Sequence, residues 1–270
     1  MAVGSRDLAP VQESVKRPGA PGWQQLESVL AALGIVADGG DEWDARMTTQ
    51  FQDEVHFRAV RYAITAIDGD GLFEPNDHGL HPRALSSACW RGYICSYRVD
   101  GGALHLTHLE IGLPSGEDPA AARIFGCAPA PRPANAWHPD ATHFELAAAV
   151  DFTGRLLLGA GHVRGAYLNM GFHPAWLYKD VHELAFDHGQ LLTSTDHSTT
   201  VAELRGTLDD QATRPHADES TSSWVERTFS RAFTYSLPPL PTPGGSPPDQ
   251  ATPSLPAAIQ TPDTVIQADI

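Results

Sequence analysis

Lysine, cysteine and long apolar runs are all scarce in this sequence. Lysine occurs only at Lys16 and Lys179, and 33 acidic side chains against 18 basic ones give a formal charge of −15. A field of that sign repels phosphate backbones, so no nucleic-acid partner is expected, whereas a basic protein surface would be attracted. Cysteine is limited to Cys89, Cys95 and Cys127, an odd count with no CxxC pair. That argues against a disulfide framework and against a zinc knuckle. No apolar stretch approaches the roughly 18–20 residues of a membrane span, and no basic-then-apolar leader opens the chain. The expectation is a cytoplasmic protein with no membrane partner. A GxSxG elbow and a phosphate-cradling glycine loop are also missing.

What is present is unevenly distributed. Nine prolines fall between Leu237 and Ile270, among Ser, Thr and Ala with few large apolar residues. Such a segment cannot bury enough surface to offset its ordering entropy, so residues 236–270 are expected to be disordered, as are residues 1–22. Leu26, Val29, Leu30 and Leu33 lie at i, i+3, i+4 and i+7, which predicts an amphipathic helix over Trp23–Leu33. An acidic linker completes the stretch 23–54, with Asp38, Asp41, Glu42, Asp44, Asp53 and Glu54 against Arg46. Residues 55–200 then read as one β domain and 201–235 as a peripheral segment.

The β reading rests on period and turn chemistry. Phe57 to Ile67 alternates as a strand and meets a turn at Asp68-Gly69-Asp70-Gly71. Three later stretches repeat a hairpin signature: Tyr93–Val99 before Asp100-Gly101-Gly102, Phe144–Val150 before Asp151-Phe152-Thr153-Gly154, and Val181–Phe186 before Asp187-His188-Gly189. Asp bonds its own backbone and Gly accepts positive φ, so each stretch predicts two antiparallel strands. The expected fold is mainly β: an antiparallel β-sandwich or flattened barrel of about seven to nine strands with the N-terminal amphipathic helix against it. Ser115 to Ala141 is a long Pro- and Ala-rich excursion, with a short helix at Pro119 to Phe125.

The densest run of side-chain chemistry is Ser86-Ser87-Ala88-Cys89-Trp90-Arg91-Gly92-Tyr93 at the start of a strand. Arg91, between an indole and a glycine, reads either as a fixed ion pair, with Glu110 or Asp180, or as an anion clamp in a pocket mouth. The candidate ligand-binding set is Arg91, Tyr93, Trp90, His105 and Tyr178. Cys89 in apolar company reads as a small core residue. The 13 histidines lack HxH, HExxH and paired-Cys spacing. His105 and His108 are three apart, which points them to opposite faces of a strand unless a bulge intervenes, as the phase shift from Leu104 and Leu106 to Leu109 and Ile111 allows. No metal and no cofactor are expected. Glu110, Glu145, Asp151, Asp180 and Glu183 are carboxylates that glycoside chemistry could use in pairs, but spacing alone cannot bring any two together.

The string Ser-Ala-Cys-Trp-Arg-Gly-Tyr, with the strand and turn after it, resembles a group of uncharacterised bacterial β-rich proteins that share a C-W-R-G-Y strand. The matching positions further on are Phe152, Gly154, Leu156, Tyr167, Met170, Gly171, Phe172, Tyr178 and Gly189. The resemblance covers roughly residues 56–197, implies one β-rich unit and carries over no catalytic residue. The sequence departs from the group in the long Pro-rich excursion and in both tails. Two functions are open on these grounds. The preferred one is an immunity- or inhibitor-like interaction module that sets its acidic surface against a basic protein partner. The alternative is a small-molecule-binding barrel or enzyme with its site around Arg91.

Overall fold

A computed structural model describes residues 49–134, 136–163, 170–208 and 212–239. The N-terminal tail, the helix expected over Trp23–Leu33, most of the acidic linker, Tyr167 and the Pro-rich segment beyond 239 lie outside the described residues. Among the described residues eight strands follow one another: β1 (Glu54–Phe57), β2 (Val60–Asp70), β3 (Tyr93–Asp100), β4 (Ala103–Ile111), β5 (Thr142–Ala149), β6 (Thr153–His162), β7 (Tyr178–Asp187) and β8 (Gln190–Asp196). Three helices close the described chain: α1 (Ser198–Thr207), α2 (Thr221–Phe229) and α3 (Phe233–Ser236). Where the sequence suggested a helix from Pro119 to Phe125, the excursion holds a 3-10 turn at Pro119–Ala121.

All strands belong to one mixed sheet in the order β3-β1-β2-β6-β7-β8-β4-β5, with β3 also paired to β4. Every pairing is antiparallel except β1 with β3, which run parallel. Two of the three expected hairpins form, β3–β4 around Gly101-Gly102 and β7–β8 around His188-Gly189. The third does not. Asp151-Phe152 joins β5, beside β4, to β6, which lies between β2 and β7. The strand expected over Phe57 to Ile67 is also two strands, folded back at Arg58 and Ala59, both at positive φ. β2 then runs through Asp68-Gly69-Asp70 instead of turning there. Gly69 and Gly154 face each other at φ 145° and 144°, and a Cβ on either would collide with the opposite backbone. These glycines serve a close crossing of two strands.

One face of the sheet is continuous core. Val55, Tyr62, Ile64, Cys95, Tyr97, Leu106, Leu109, Phe144 and Leu156 are all buried in one cluster. On the other face, Leu157 and Val181 meet Trp176 and the buried side of α1, Val201 and Leu204. Burial of such side chains is the main favourable term in folding.

One charged knot sits within this apolar framework. Asp53, immediately before β1, is 2 % exposed. Its two oxygens accept hydrogen bonds from both terminal nitrogens of Arg91, each at 2.6 Å, from Nη1 of Arg231 at 2.9 Å and from the Cys95 amide at 2.7 Å. The Arg91 guanidinium lies 4.7 Å from the Tyr93 ring, and that of Arg231 lies 5.1 Å from the Phe172 ring. Arg91 is therefore the fixed ion pair of the two sequence readings, but its partner is Asp53 and neither Glu110 nor Asp180.

Burial alone would raise the Asp53 pKa, but the two guanidinium groups outweigh it and hold the carboxyl below its ordinary 3.8. A carboxyl that releases its proton more readily folded than unfolded stabilises the fold fully above the unfolded value, and this is lost as pH falls through the lowered one. Asp53→Asn should cost about 3–5 kcal/mol in urea unfolding at neutral pH, because two guanidinium groups stay buried without a countercharge. The penalty should shrink below about pH 4, where the wild type begins to lose the same contribution. A neutral-pH loss under about 1 kcal/mol would contradict this role.

Candidate metal centre

The five residues of the sequence-derived set do not form one pocket. Arg91 and Tyr93 belong to the buried knot, where the Tyr93 hydroxyl donates to Glu74 at 2.7 Å. Trp90 packs on Phe229 of α2, with ring centroids 5.2 Å apart. His105 lies opposite Arg98 and Ala149, towards the β3–β4 turn. Tyr178 is on the other side of the sheet, donating its hydroxyl to Gln52 at 2.6 Å. Cys89 is buried, and burial pushes its thiol up to about 11, so it is no nucleophile at neutral pH.

A different group comes together on β4 and β5. The β4 register shifts between Leu106 and His108 against β5, and at the same point against β3, leaving Thr107 as the extra residue of a bulge. The Thr107 hydroxyl donates to the Ser96 carbonyl at 3.0 Å. Through the bulge Leu104, Leu106, Leu109 and Ile111 all keep to the core, while His105, His108 and Glu110 share the opposite face. Glu110 is paired in register with His143 of β5. Three potential metal ligands thus meet: His108, Glu110 and His143, with donor atoms all within 4.8 Å of one another.

The separations are informative. Nε2 of His108 is 3.5 Å from Nδ1 of His143 and 3.8 Å from Oε1 of Glu110, and Nδ1 of His143 is 3.9 Å from Oε2 of Glu110. Ligand atoms about 2.0–2.1 Å from a tetrahedral ion stand about 3.3–3.4 Å apart, so shifts of a few tenths of an ångström would close the set on a metal. The His143 side chain is 1 % exposed, those of His108 and Glu110 24 % and 16 %, which leaves one side of the group open. Nε2 of His143 is buried without a hydrogen-bond partner, so the ring acts through Nδ1.

Electrostatics favour neutral imidazoles here. Burial lowers the pKa of His108, against a smaller opposing pull from Glu145. His143 is lowered by burial, then by His108 and by Arg132. Glu110 is raised by burial, and Glu54 adds to the rise while the Trp137 amide opposes it. Neutral imidazole is the form that ligates a metal. The excursion frames the group at two points: the Ala130 amide donates to the His143 carbonyl at 2.7 Å, and the Trp137 amide to Oε2 of Glu110 at 3.4 Å. Trp137 in turn packs on Phe51, with centroids 5.1 Å apart.

Sequence reasoning weighed His108 and Glu110 separately and passed over His143. The phase shift in β4 was the available signal. The β4–β5 register that brings in His143 was not readable locally. The other candidate carboxylates are dispersed: Asp180 accepts from Tyr62 at 2.9 Å, Glu183 faces Arg155 and His197, and Asp151 holds His188 at an exposed turn. No family of known proteins, no curated protein and no solved structure matches the chain.

A second histidine pair serves packing. His173 stacks near His162, with centroids 4.7 Å apart, and its Nε2 lies 3.3 Å from the Thr49 hydroxyl. Burial, then His162, lowers its pKa to about 4 from 6.5. The folded protein thus takes up a proton there less readily than the unfolded chain, so this site destabilises the fold as pH falls below 6.5 towards 4. His173→Gln should remove a pH-dependent loss on the order of 3 kcal/mol across that window. The comparison is urea unfolding at pH 7.5 and pH 4.5, and an unchanged slope would refute the assignment.

Proposed function

We propose that this is a metal-dependent small-molecule-binding protein or enzyme, centred on His108, Glu110 and His143. The observation that carries the reading is the convergence of two imidazoles and one carboxylate on a half-open patch of the sheet's polar face. Two histidines and a carboxylate are a donor set for zinc and neighbouring first-row divalent ions. Three protein ligands leave a coordination position for water or substrate, the arrangement of catalytic sites as opposed to closed structural ones. The proposal keeps the small-molecule alternative of the sequence reading and moves its centre away from Arg91, whose guanidinium is held by Asp53.

The interaction-module reading is less well supported. Of the six acids in its acidic segment, Asp53 is buried in the knot and Glu54 faces Arg61 at 3.4 Å. We read the sheet as a flattened barrel in preference to a sandwich, because β4 pairs with β3 along one edge and meets β8 at Ala103 and Gln190 on the other. We also infer kinship with the bacterial C-W-R-G-Y group. Phe172, one of the shared positions, is the ring beneath both arginines of the knot, which gives that resemblance a physical basis. Among the described residues no helix is long and apolar enough to cross a membrane. The buried free thiols of Cys89 and Cys95 fit a reducing compartment such as the cytoplasm.

Chelator-stripped protein titrated with zinc in a calorimeter should take up one ion per chain. His108→Gln and Glu110→Gln, both at partly exposed positions, should weaken zinc by at least about a hundredfold while leaving the metal-free melting temperature close to wild type. Equal zinc affinity in the wild type and both variants would overturn the reading.

A further inference from the structure

We infer that the ligand of this site is an oxyanion, a carboxylate or phosphate group, held between the metal position and the guanidinium of Arg132. The inference rests on the metal reading above. Its own basis is the way the excursion is pinned. Ala130 is tied to the His143 backbone and Trp137 to the Glu110 carboxylate, so Arg132 is carried between two anchors on the ligand set. An isolated bridge between Ala130 and His143 fixes that end as a short extra strand contact. Arg132 is exposed, and among the described residues it has no hydrogen bond or ion pair.

Among the described residues Arg98 of β3 is likewise exposed and without a hydrogen bond or ion pair, but it lies opposite His105 at the turn end of β4, whereas Arg132 stands two residues from an anchor on the ligand set. Arg61 faces Glu54, and Arg91 and Arg231 are consumed by Asp53. Guanidinium is the side chain best shaped to grip a planar carboxylate or a phosphate through paired N–H donors. Beside a divalent cation it would leave one oxygen for the metal and one for the arginine. Trp137 and the exposed Phe51 supply an aromatic wall next to Glu110. That wall would suit an aromatic carboxylate, while a bare phosphate would need only the charges.

The test uses the full chain in two steps. Zinc is titrated first, into wild type and Arg132→Gln; equal affinity is expected, since Arg132 is not a ligand, and absence of binding to both would sink the metal reading before any anion is added. The zinc-loaded proteins are then titrated with benzoate, benzamide and inorganic phosphate. Benzoate or phosphate should bind wild type at least about tenfold more tightly than Arg132→Gln, and benzamide should discriminate little between them. Tighter benzoate assigns an aromatic carboxylate, and tighter phosphate a phosphate-bearing ligand. Zinc-loaded wild type that binds neither anion, or binds them no better than the variant does, refutes the inference with the metal centre left standing.

Discussion

The Asp53 carboxylate, enclosed by two guanidinium groups and one amide, is the interaction on which the described structure depends. It joins three stretches that are far apart in sequence: the residues leading into β1, the Cys-Trp-Arg-Gly-Tyr run that starts β3, and the segment between α2 and α3 that brings Arg231. A carboxylate with all its acceptor positions filled is tolerable in an apolar interior; one with a position empty is not. The knot therefore specifies one arrangement of these segments over nearby alternatives. Phe172 and Tyr93 line it with ring faces, which suit weakly hydrated guanidinium groups.

The sheet divides its labour by face. Where β1, β3, β4 and β5 turn one side inward, the residues are aliphatic or aromatic and close to fully buried. The reverse side of the same strands carries Glu54, Ser96, His108, Glu110 and His143. Glu54, Ser96, His108 and Glu110 are half-buried and His143 is buried, and the excursion reaches this face through its bonds to His143 and Glu110. Partial cover matters chemically: it desolvates the imidazoles enough to keep them neutral without sealing the ligand set from solvent.

Much of the β architecture was legible from local chemistry. Asp100-Gly101-Gly102 and Asp187-His188-Gly189 mark real hairpins because two adjacent residues there accept positive φ. Asp151-Phe152-Thr153-Gly154 carries the same letters and is no hairpin. Gly154 is needed for its approach to Gly69, a requirement set by a strand more than eighty positions away. The fold-back at Arg58-Ala59 was invisible for the opposite reason: neither residue type favours positive φ, so tertiary pairing overrode local preference. Arg91 was correctly singled out, but its partner was hidden among acids that looked like a solvated linker. His143 was hidden more deeply, since only the pairing of β5 with β4 gives it a role.

Thr107 sets the parity of β4. Strand faces alternate with a period of two, so along β4 each side chain's destination is a matter of odd or even. The bulge inserts one residue and inverts that parity from His108 onward. Without it, the residues that now project His108 and Glu110 outward would turn them into the core and send Leu109 and Ile111 to solvent. Straightening the strand with Thr107 retained would thus exchange the two faces of half a strand, whereas deleting Thr107 would leave Leu106, His108, Leu109, Glu110 and Ile111 in plain alternation with both faces kept. The ligand set and the core of β4 share one reading frame in space, so neither can drift in register without the other.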